Sequence, residues 1–208
     1  MLSLSTASGE LIVNSYRALT LASAPADHLM LQPLRPRAST ADPALSLLTD
    51  FSSGAVVVAQ ADDRADQVLQ MLMRAGVRMG FVGEVHEGRG TIRGVVTASD
   101  LAGEHVTRRA LELGVAHDQL SIEQVMSPLS DWPLVDMISL PRALVGDVVA
   151  TLQASGRRYL IVIETIDAQL SLRGVFSASR IEQSLGTSLQ ISLRSQSFAE
   201  LHSALQHS

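Results

Sequence analysis

The chain has 208 residues, of which 46% are apolar and 18% are charged. This composition is typical of a globular protein, and the length suffices for one domain or two small ones. The net charge of −5 argues against a broad basic surface for nucleic acid. The absence of cysteine excludes disulfides, thiolate metal sites and cysteine nucleophiles. No apolar run approaches the ~20 residues of a membrane span. Together with the net charge, this leads us to expect a cytoplasmic protein with no membrane or nucleic-acid partner.

The N-terminal part of the chain gives weak structural signals. Residues 1–25 combine serine, threonine and alanine with two short apolar patches. An edge strand, a helix, a segment packed on a partner and a partly disordered segment are all compatible with this pattern. Residues 32–43 contain Pro33, Pro36 and Pro43, which predict an irregular connector. We therefore treat residues 1–42 as an N-terminal extension.

The next part of the chain predicts the order strand, helix, strand, strand, helix. The β-branched run 55–59 indicates a buried strand, and apolar residues at helical spacing indicate a helix before Gly76. The first strand is predicted at 55–59, and the helix after it runs from a cap at Asp62 or Asp63 to about Ala75. Strands follow at 78–85 and 91–97, around a turn at 88–90. The last helix runs from a cap at Ser99 or Asp100 to about Leu113 and is closed by Gly114.

This unit is repeated later in the chain at a constant offset in residue number. Residues 66–76 align with 146–156, and residues 78–82 align with 158–162. Residues 92–99 align with 172–179, with identity at five of eight positions. Because a single offset serves helix, strand and motif, the sequence predicts a duplicated unit. Each unit would bury its apolar sheet face best against its twin, so we expect the two to pack as one module.

The predicted domain organisation follows from this duplication. The first unit spans residues 43–118 and the second spans 119–187, with its first strand expected at 135–140. Residues 188–208 form a C-terminal extension in which a helix over about 196–206 is predicted from the spacing of its apolar residues. The fold class is α/β (α+β), built from duplicated β-α-β-β-α units related by a pseudo-two-fold axis.

The last strand of each unit ends in a hydroxyl residue and leads into a helix. In the first unit these residues are Thr97 and Asp100, and in the second they are Ser177 and Arg180. A hydroxyl, backbone N–H groups and a carboxylate at such a junction suit an anion or a ribose. An ordinary helix cap made by the same residue types is the alternative explanation.

The repeat, the motif Gly94-Val-Val-Thr-Ala-Ser-Asp-Leu101 and the sequence Met126-Ser-Pro128 resemble a tandem pair of cystathionine-β-synthase (CBS) domains. The resemblance covers roughly residues 43–187. It implies a regulatory module that binds AMP, ADP, ATP or S-adenosylmethionine in clefts between the repeats and associates into a homodimer. By this resemblance Asp100 would bind ribose hydroxyls, and Thr97 would bind phosphate or ribose.

The second unit departs from this pattern. Arg180 only donates hydrogen bonds and cannot accept them from a ribose, so the cleft at Ser177 is either empty or binds phosphate with Arg180 as a clamp. By the same resemblance, Arg78, Arg157 and Arg158 lie near the position of phosphates. A surface arginine that starts a strand is the commoner explanation for Arg78 and Arg158, which recur at the repeat offset.

We consider three classes of function. The first is a non-catalytic sensor in which an adenosine-type ligand changes the packing of the repeats and an unidentified effector protein responds. The second is a ligand-free structural or interaction protein that uses the paired fold as a dimerisation scaffold. The third, an enzyme, lacks a catalytic constellation in the sequence. No obligatory cofactor is expected, although an adenine nucleotide or S-adenosylmethionine can be bound. No metal site is expected, because the six histidines show no ligand spacing.

Overall fold

The computed structural model describes residues 37–54, 56–86 and 89–191. All of them belong to one unit that begins at Arg35. The strands are β1 (Thr49–Asp50), β2 (Val58–Ala59), β3 (Met79–His86), β4 (Arg89–Thr97), β5 (Ser127–Pro128), β6 (Leu134–Asp136), β7 (Tyr159–Ile166) and β8 (Gln169–Ser177). The helices are α1 (Ala65–Arg74), α2 (Ala98–Ala102), α3 (Glu104–Leu113), α4 (Ile122–Val125), α5 (Val145–Ser155) and α6 (Ala178–Leu185).

The strands form two four-stranded sheets with the same design. The first has the order β2-β3-β4-β5 and the second the order β1-β8-β7-β6. Each contains an antiparallel hairpin, β3–β4 or β7–β8, with a parallel strand on one side and a short antiparallel strand on the other. This duplicated α/β architecture confirms the fold class predicted from the sequence.

The two sheets pack face to face, with helices on their outer faces. Alternating side chains along a strand point to opposite faces, and the cores follow this rule. Phe81 and Ile161 lie in the core between the sheets, whereas the next residues, Val82 and Val162, lie in the two helical cores. Phe51 contacts Phe81 edge-on at a centroid distance of 5.8 Å. The inner sheet faces thus bury each other, as expected from the repeat.

The constant repeat offset holds for both hairpins from end to end, since β3 and β4 shifted by that offset give β7 and β8. The hairpins also share a bulge that leaves one additional residue on the second strand, Arg93 in one half and Arg173 in the other. A bulge bends the strand and re-aims the extra side chain. The two arginines therefore hold equivalent positions, but they have different partners.

Each sheet is completed by a segment that precedes the opposite repeat. β1 pairs with β8, and the preceding residues Ala44 and Leu47 pack in the second helical core. β5 pairs with β4, and α4 packs in the first helical core. We call residues 43–50 and 121–128 the arms. The unit boundaries 43–118 and 119–187 remain predictions, and the packing of both arms crosses them.

Several local predictions need correction. α1 begins after Arg64, and neither Asp62 nor Asp63 caps it; the Asp63 carboxylate instead accepts the N–H of Gln60. The helix after β4 is capped by Thr97 rather than by Ser99 or Asp100, since the Thr97 side chain accepts the Asp100 N–H. These errors have one cause: a short polar side chain can cap a helix or close a nearby turn, and the sequence does not distinguish the two.

The helix expected to run to Leu113 is broken at Gly103, which separates α2 from α3. The run 135–140 contains only the short strand β6 and then a 3₁₀ turn at Met137–Arg142, with Pro141 inside it. Of the described residues 56–59 of the predicted strand 55–59, only Val58 and Ala59 form a strand. Arg89 and Gly90, which the sequence predicts in the turn at 88–90, belong to β4. Gly76 and Gly114 end their helices with positive φ, as predicted.

The predictions for residues 1–36 and for a helix at 196–206 lie outside the described residues, as does Gly88 of the predicted turn. Among the helices of the described part, none has the length and apolar character needed to span a membrane.

The arm of the second sheet is held by an ion-pair network that has no counterpart among the described residues of the first sheet. Arg173 donates two hydrogen bonds to Asp50, of 3.0 and 2.9 Å, and one of 2.7 Å to Glu164. In the first sheet Arg93 lies 3.4 Å from Glu84, and Pro128 takes the position of Asp50. The hydrogen bonds from Arg173 hold the pKa of Asp50 well below its usual range. The arm that contains β1 is therefore held in place by an ion pair, that of Asp50 with Arg173.

This network predicts a specific loss of stability in acid. The lowered pKa of Asp50 means that the folded state favours the ionised carboxylate. The contribution of this carboxylate to the free energy of unfolding is therefore complete above its pKa in the unfolded chain, about 3.9, and is lost as the pH falls further. Denaturant titrations from neutral pH into acid should show a smaller acid-induced loss in Asp50→Asn than in the parent chain. Equal pH dependence in both proteins would contradict this assignment, and Asp62→Asn, at an exposed position, is the control.

Candidate functional site

A cavity of about 1050 Å³ lies between the two halves. One half contributes Thr97, Asp100 and Arg78 to its wall, and the other contributes Arg158 and Tyr159. The arm of residues 121–128 supplies a third side, with residues 125–128. The tertiary structure thus brings four of the six predicted site residues to one cavity. Arg78, Thr97 and Asp100 come from the first repeat, and Arg158 comes from the second.

Thr97 and Asp100 form a local hydrogen-bonded group at the end of β4. Thr97 is only 5% exposed, and its hydroxyl donates to Oδ2 of Asp100 at 2.7 Å. Thr97 Oγ1 also accepts the Asp100 N–H at 3.1 Å and lies 2.8 Å from Ser99 Oγ. These hydrogen bonds fix the carboxylate and engage one of its oxygens. The other oxygen, Oδ1, makes no hydrogen bond within the described residues and can accept from a ligand.

Tyr159 lies in the field of the other charged groups of the cavity. Burial raises the pKa of its hydroxyl, the charges of Arg78 and Arg158 lower it, and the negative charge of Asp100 raises it again. The phenol is therefore neutral at physiological pH and can donate one hydrogen bond. Tyr159 thus lies within electrostatic range of charged groups from both halves.

Arg157 and Trp132 form a second feature of the cavity wall. The Arg157 guanidinium carbon lies 4.9 Å from the centroid of the Trp132 ring, and its NH2 group donates to the Asp131 carbonyl at 3.0 Å. Trp132 is 7% exposed, and its Nε1–H has no hydrogen-bond partner among the described residues. A guanidinium held over an indole is well placed to bind an anion, because stacking limits its motion and hydration.

Sequence reasoning missed Trp132 and Tyr159 as wall residues. A signal was present in the departures from the repeat: Val77 and Met79 of the first half correspond to Arg157 and Tyr159 of the second. Substitutions of this kind in an otherwise apolar repeat indicate positions where the two halves have different roles.

Arg158 already has a partner. Its NH2 group lies 2.6 Å from Oε2 of Glu182, in α6, and the other carboxylate oxygen accepts the Leu189 N–H at 3.0 Å. In contrast, Arg78 makes no ion pair with any described residue. The two symmetry-related arginines are thus unequal.

Ser177 and Arg180 do not line the large cavity, whereas the neighbouring Ser179 does. Ser177 Oγ lies 2.9 Å from Ser179 Oγ and makes no capping hydrogen bond to α6. The Arg180 side chain is exposed. The pair therefore lacks the fixed geometry that Thr97 and Asp100 have, because an arginine at position 180 cannot accept the hydroxyl proton.

Within residues 37–54, 56–86 and 89–191, no group of histidine, aspartate and glutamate side chains could hold a metal ion. The cavity offers donors, acceptors and stacking surfaces. Its chemistry suits an organic anion with hydroxyl groups.

Comparison with known proteins gives no match to a family model and no match to a curated protein. Similar solved structures include CBSX2 in complex with AMP, at 18% identity, covering 69% of this chain and 95% of that chain with a TM-score of 0.46. A CBS-domain pair in complex with 5′-methylthioadenosine and S-adenosyl-L-methionine shows 16% identity, coverage of 69% and 94%, and a TM-score of 0.46.

A third similar structure is GMP reductase from Trypanosoma brucei, at 15% identity with a TM-score of 0.49. The match covers 69% of this chain but only 27% of the enzyme. At these identities the similarity concerns the fold alone. The duplicated topology and the face-to-face sheets of this chain match the paired repeats expected from the sequence.

Proposed function

We propose that this protein is a non-catalytic regulatory module that binds an adenosine-containing ligand in the large cavity and signals to a separate effector protein. The observation that carries the proposal is the convergence of a fixed carboxylate and three guanidinium groups, from Arg78, Arg157 and Arg158, in one cavity between the repeats. A nucleotide has matching parts, since its ribose donates hydrogen bonds and its phosphates accept them.

The proposed roles follow from the contacts of each residue. Asp100 accepts a ribose hydroxyl through Oδ1, and Thr97 holds the carboxylate through Oδ2. Arg78 and Arg157 bind phosphate oxygens, and Arg158 joins them once it leaves Glu182. Ser177 and Arg180 remain a predicted second contact, outside the wall of this cavity.

The charge of the cavity bears on the choice of ligand. The guanidinium groups favour AMP, ADP or ATP, whose phosphates are anionic, over the sulfonium cation of S-adenosylmethionine. AMP, 5′-methylthioadenosine and S-adenosylmethionine, the ligands named for the similar structures, complete the panel of compounds to test.

The alternative is a ligand-free structural protein that uses the paired fold as a dimerisation scaffold. The exposed side chains of Met73, Leu111 and Ile138 are available for such contacts. The homodimer and the cytoplasmic location remain predictions under either function. Nucleotide binding distinguishes the two functions directly.

Trp132 provides the test, because it is the only tryptophan of the chain and lies in the cavity wall. A phosphate that draws Arg157 away from the indole changes the field on Trp132. We expect saturable changes in its emission, excited selectively over tyrosine, with AMP, ADP or ATP, since indole emission responds to nearby charge. Calorimetry on the same panel measures affinity, and ligand at 100 times Kd should stabilise the fold by about 2.7 kcal/mol. If no adenosine compound binds in either assay, the scaffold function is favoured instead.

A further inference from the structure

Glu182 links the cavity to the chain that follows α6. Its Oε2 atom accepts from Arg158, a residue of the cavity wall, at 2.6 Å, and its Oε1 atom accepts the Leu189 N–H at 3.0 Å. The Glu182 carbonyl also accepts the Thr187 N–H at 3.2 Å. One acidic residue thus holds both a ligand-facing cation and the backbone beyond the last helix.

The Arg158–Glu182 pair is accessible enough to exchange partners. The Arg158 side chain is 40% exposed and that of Glu182 is 22% exposed. Phosphate offers a guanidinium a doubly charged, bidentate acceptor in place of a single carboxylate oxygen. A phosphate in the cavity therefore competes with Glu182 for Arg158.

We propose that phosphate binding in the cavity takes Arg158 from Glu182 and thereby loosens the segment of residues 187–191. This inference rests on the proposed function and names how the same site is regulated. Without its cation, the Glu182 carboxylate is no longer fixed in orientation, and its hydrogen bond to Leu189 weakens. We call the contact set of Arg158, Glu182 and Leu189 the latch.

The contacts around the latch explain why its opening would affect the packing of residues outside the cavity. Leu189 and Ile191 are partly buried against the second helical core. On the same helix, the Ser184 carbonyl accepts the N–H groups of Arg37 and Ala38 at 2.8 and 3.1 Å. Described residues of both predicted extensions thus contact α6.

The latch belongs to only one of the repeats. At the repeat offset, Ala102 occupies the position of Glu182, so the symmetry-related Arg78 has no equivalent carboxylate. Arg78 can therefore bind phosphate without breaking an ion pair of the described residues, whereas Arg158 cannot. The second repeat is therefore the one in which phosphate binding breaks an ion pair.

Amide hydrogen exchange of residues 187–191 tests the latch in the full chain, with Trp132 emission as the report of binding. We expect saturating ATP to raise the exchange rate of the Leu189 amide several-fold. Adenosine, which has no phosphate, should leave the rate unchanged. Binding of ATP without faster exchange, or with slower exchange, would overturn the latch and leave the proposed function standing.

Glu182→Gln separates the latch from simple stabilisation by ligand. Glutamine retains an acceptor for the Leu189 N–H but has no charge to hold Arg158. Because coupling is reciprocal, this variant should bind ATP more tightly, by about five-fold, and ATP should accelerate Leu189 exchange less than in the parent chain. Glu84→Gln, which removes the exposed partner of Arg93, is the matched control and should change neither quantity.

The two levels of failure are distinguishable. Unchanged affinity in Glu182→Gln together with an unchanged ATP effect on exchange would overturn the latch alone. No change of Trp132 emission and no calorimetric signal with any phosphate compound would overturn the proposed function and the latch with it.

Discussion

Asp100→Ala should weaken nucleotide binding by about 10- to 100-fold while leaving the fold intact. A hydrogen bond to a charged group contributes about 1.5–3 kcal/mol, and the variant removes the acceptor proposed for the ribose. The backbone N–H of residue 100 still donates to Thr97 Oγ1 at 3.1 Å, so the start of α2 keeps its cap. Calorimetry with the tightest nucleotide of the panel measures the effect.

Two further variants show whether the loss comes from the ribose contact. Asp100→Asn keeps one carbonyl oxygen as an acceptor and should bind with intermediate affinity, since the charge is lost but the geometry is not. Asp62→Ala removes an exposed carboxylate outside the cavity wall and should bind normally. Normal affinity in Asp100→Ala, with unchanged thermal stability, would show that this carboxylate is not a ligand contact.

The second large effect is on stability and concerns the glycines beneath the two arms. A Cβ atom at Gly174 would lie 2.5 Å from the carbonyl oxygen of Thr49 and 3.0 Å from Leu48 Cδ1. The first of these is backbone of β1, which pairs directly with residue 174 and is held by Arg173. Gly174→Ala should therefore lower the free energy of unfolding by about 1–3 kcal/mol, the usual cost of overpacking.

Gly94→Ala, the same change in the first repeat, should be tolerated better. There the added Cβ would meet the Met126 sulfur most closely, and the nearest backbone atom, Ser127 O, would lie 3.0 Å away. A methionine side chain rotates out of the way at little cost, and no ion pair of the described residues fixes β5. We expect a loss below about 1 kcal/mol, because flexible side chains relax more readily than paired backbone.

Urea unfolding of both variants makes the comparison, with the parent chain as reference. A loss in Gly174→Ala that exceeds the loss in Gly94→Ala supports the unequal anchoring of the arms. Equal losses, or a larger loss for Gly94→Ala, would contradict it. A weakly anchored first-sheet arm is relevant to function, because residues 125–128 form part of the cavity wall.

Much of the fold was predictable because it depends on local patterns. The loose alternation of residues 78–85 predicts a strand, which the repeat offset carries over to residues 158–162. Gly76 and Gly114 predict helix ends, since glycine adopts positive φ without strain. The constant offset between the two repeats predicts a paired architecture without any knowledge of contacts.

Caps and short strands were less predictable. Asp63 closes a turn at Gln60 instead of capping α1, and Thr97 caps α2 in place of Ser99. Such choices depend on competing hydrogen bonds within a few residues, whose energies are nearly equal. The strand expected at 135–140 largely became a 3₁₀ turn, since Pro141 cannot donate to a sheet.

The sequence by itself determined the repeat, the α/β class and the proximity of Thr97 and Asp100, because spacing, offset and sequence neighbours can be read without any tertiary contact. The tertiary structure alone decided that the arms complete the opposite sheets, that Arg157 lies over Trp132, and that Glu182 holds Arg158. These contacts join residues far apart in sequence, and their formation depends on how two similar sheets bury their shared apolar faces. The two repeats share one topology, and substitutions between them, such as Ala102 for Glu182, make their contacts unequal.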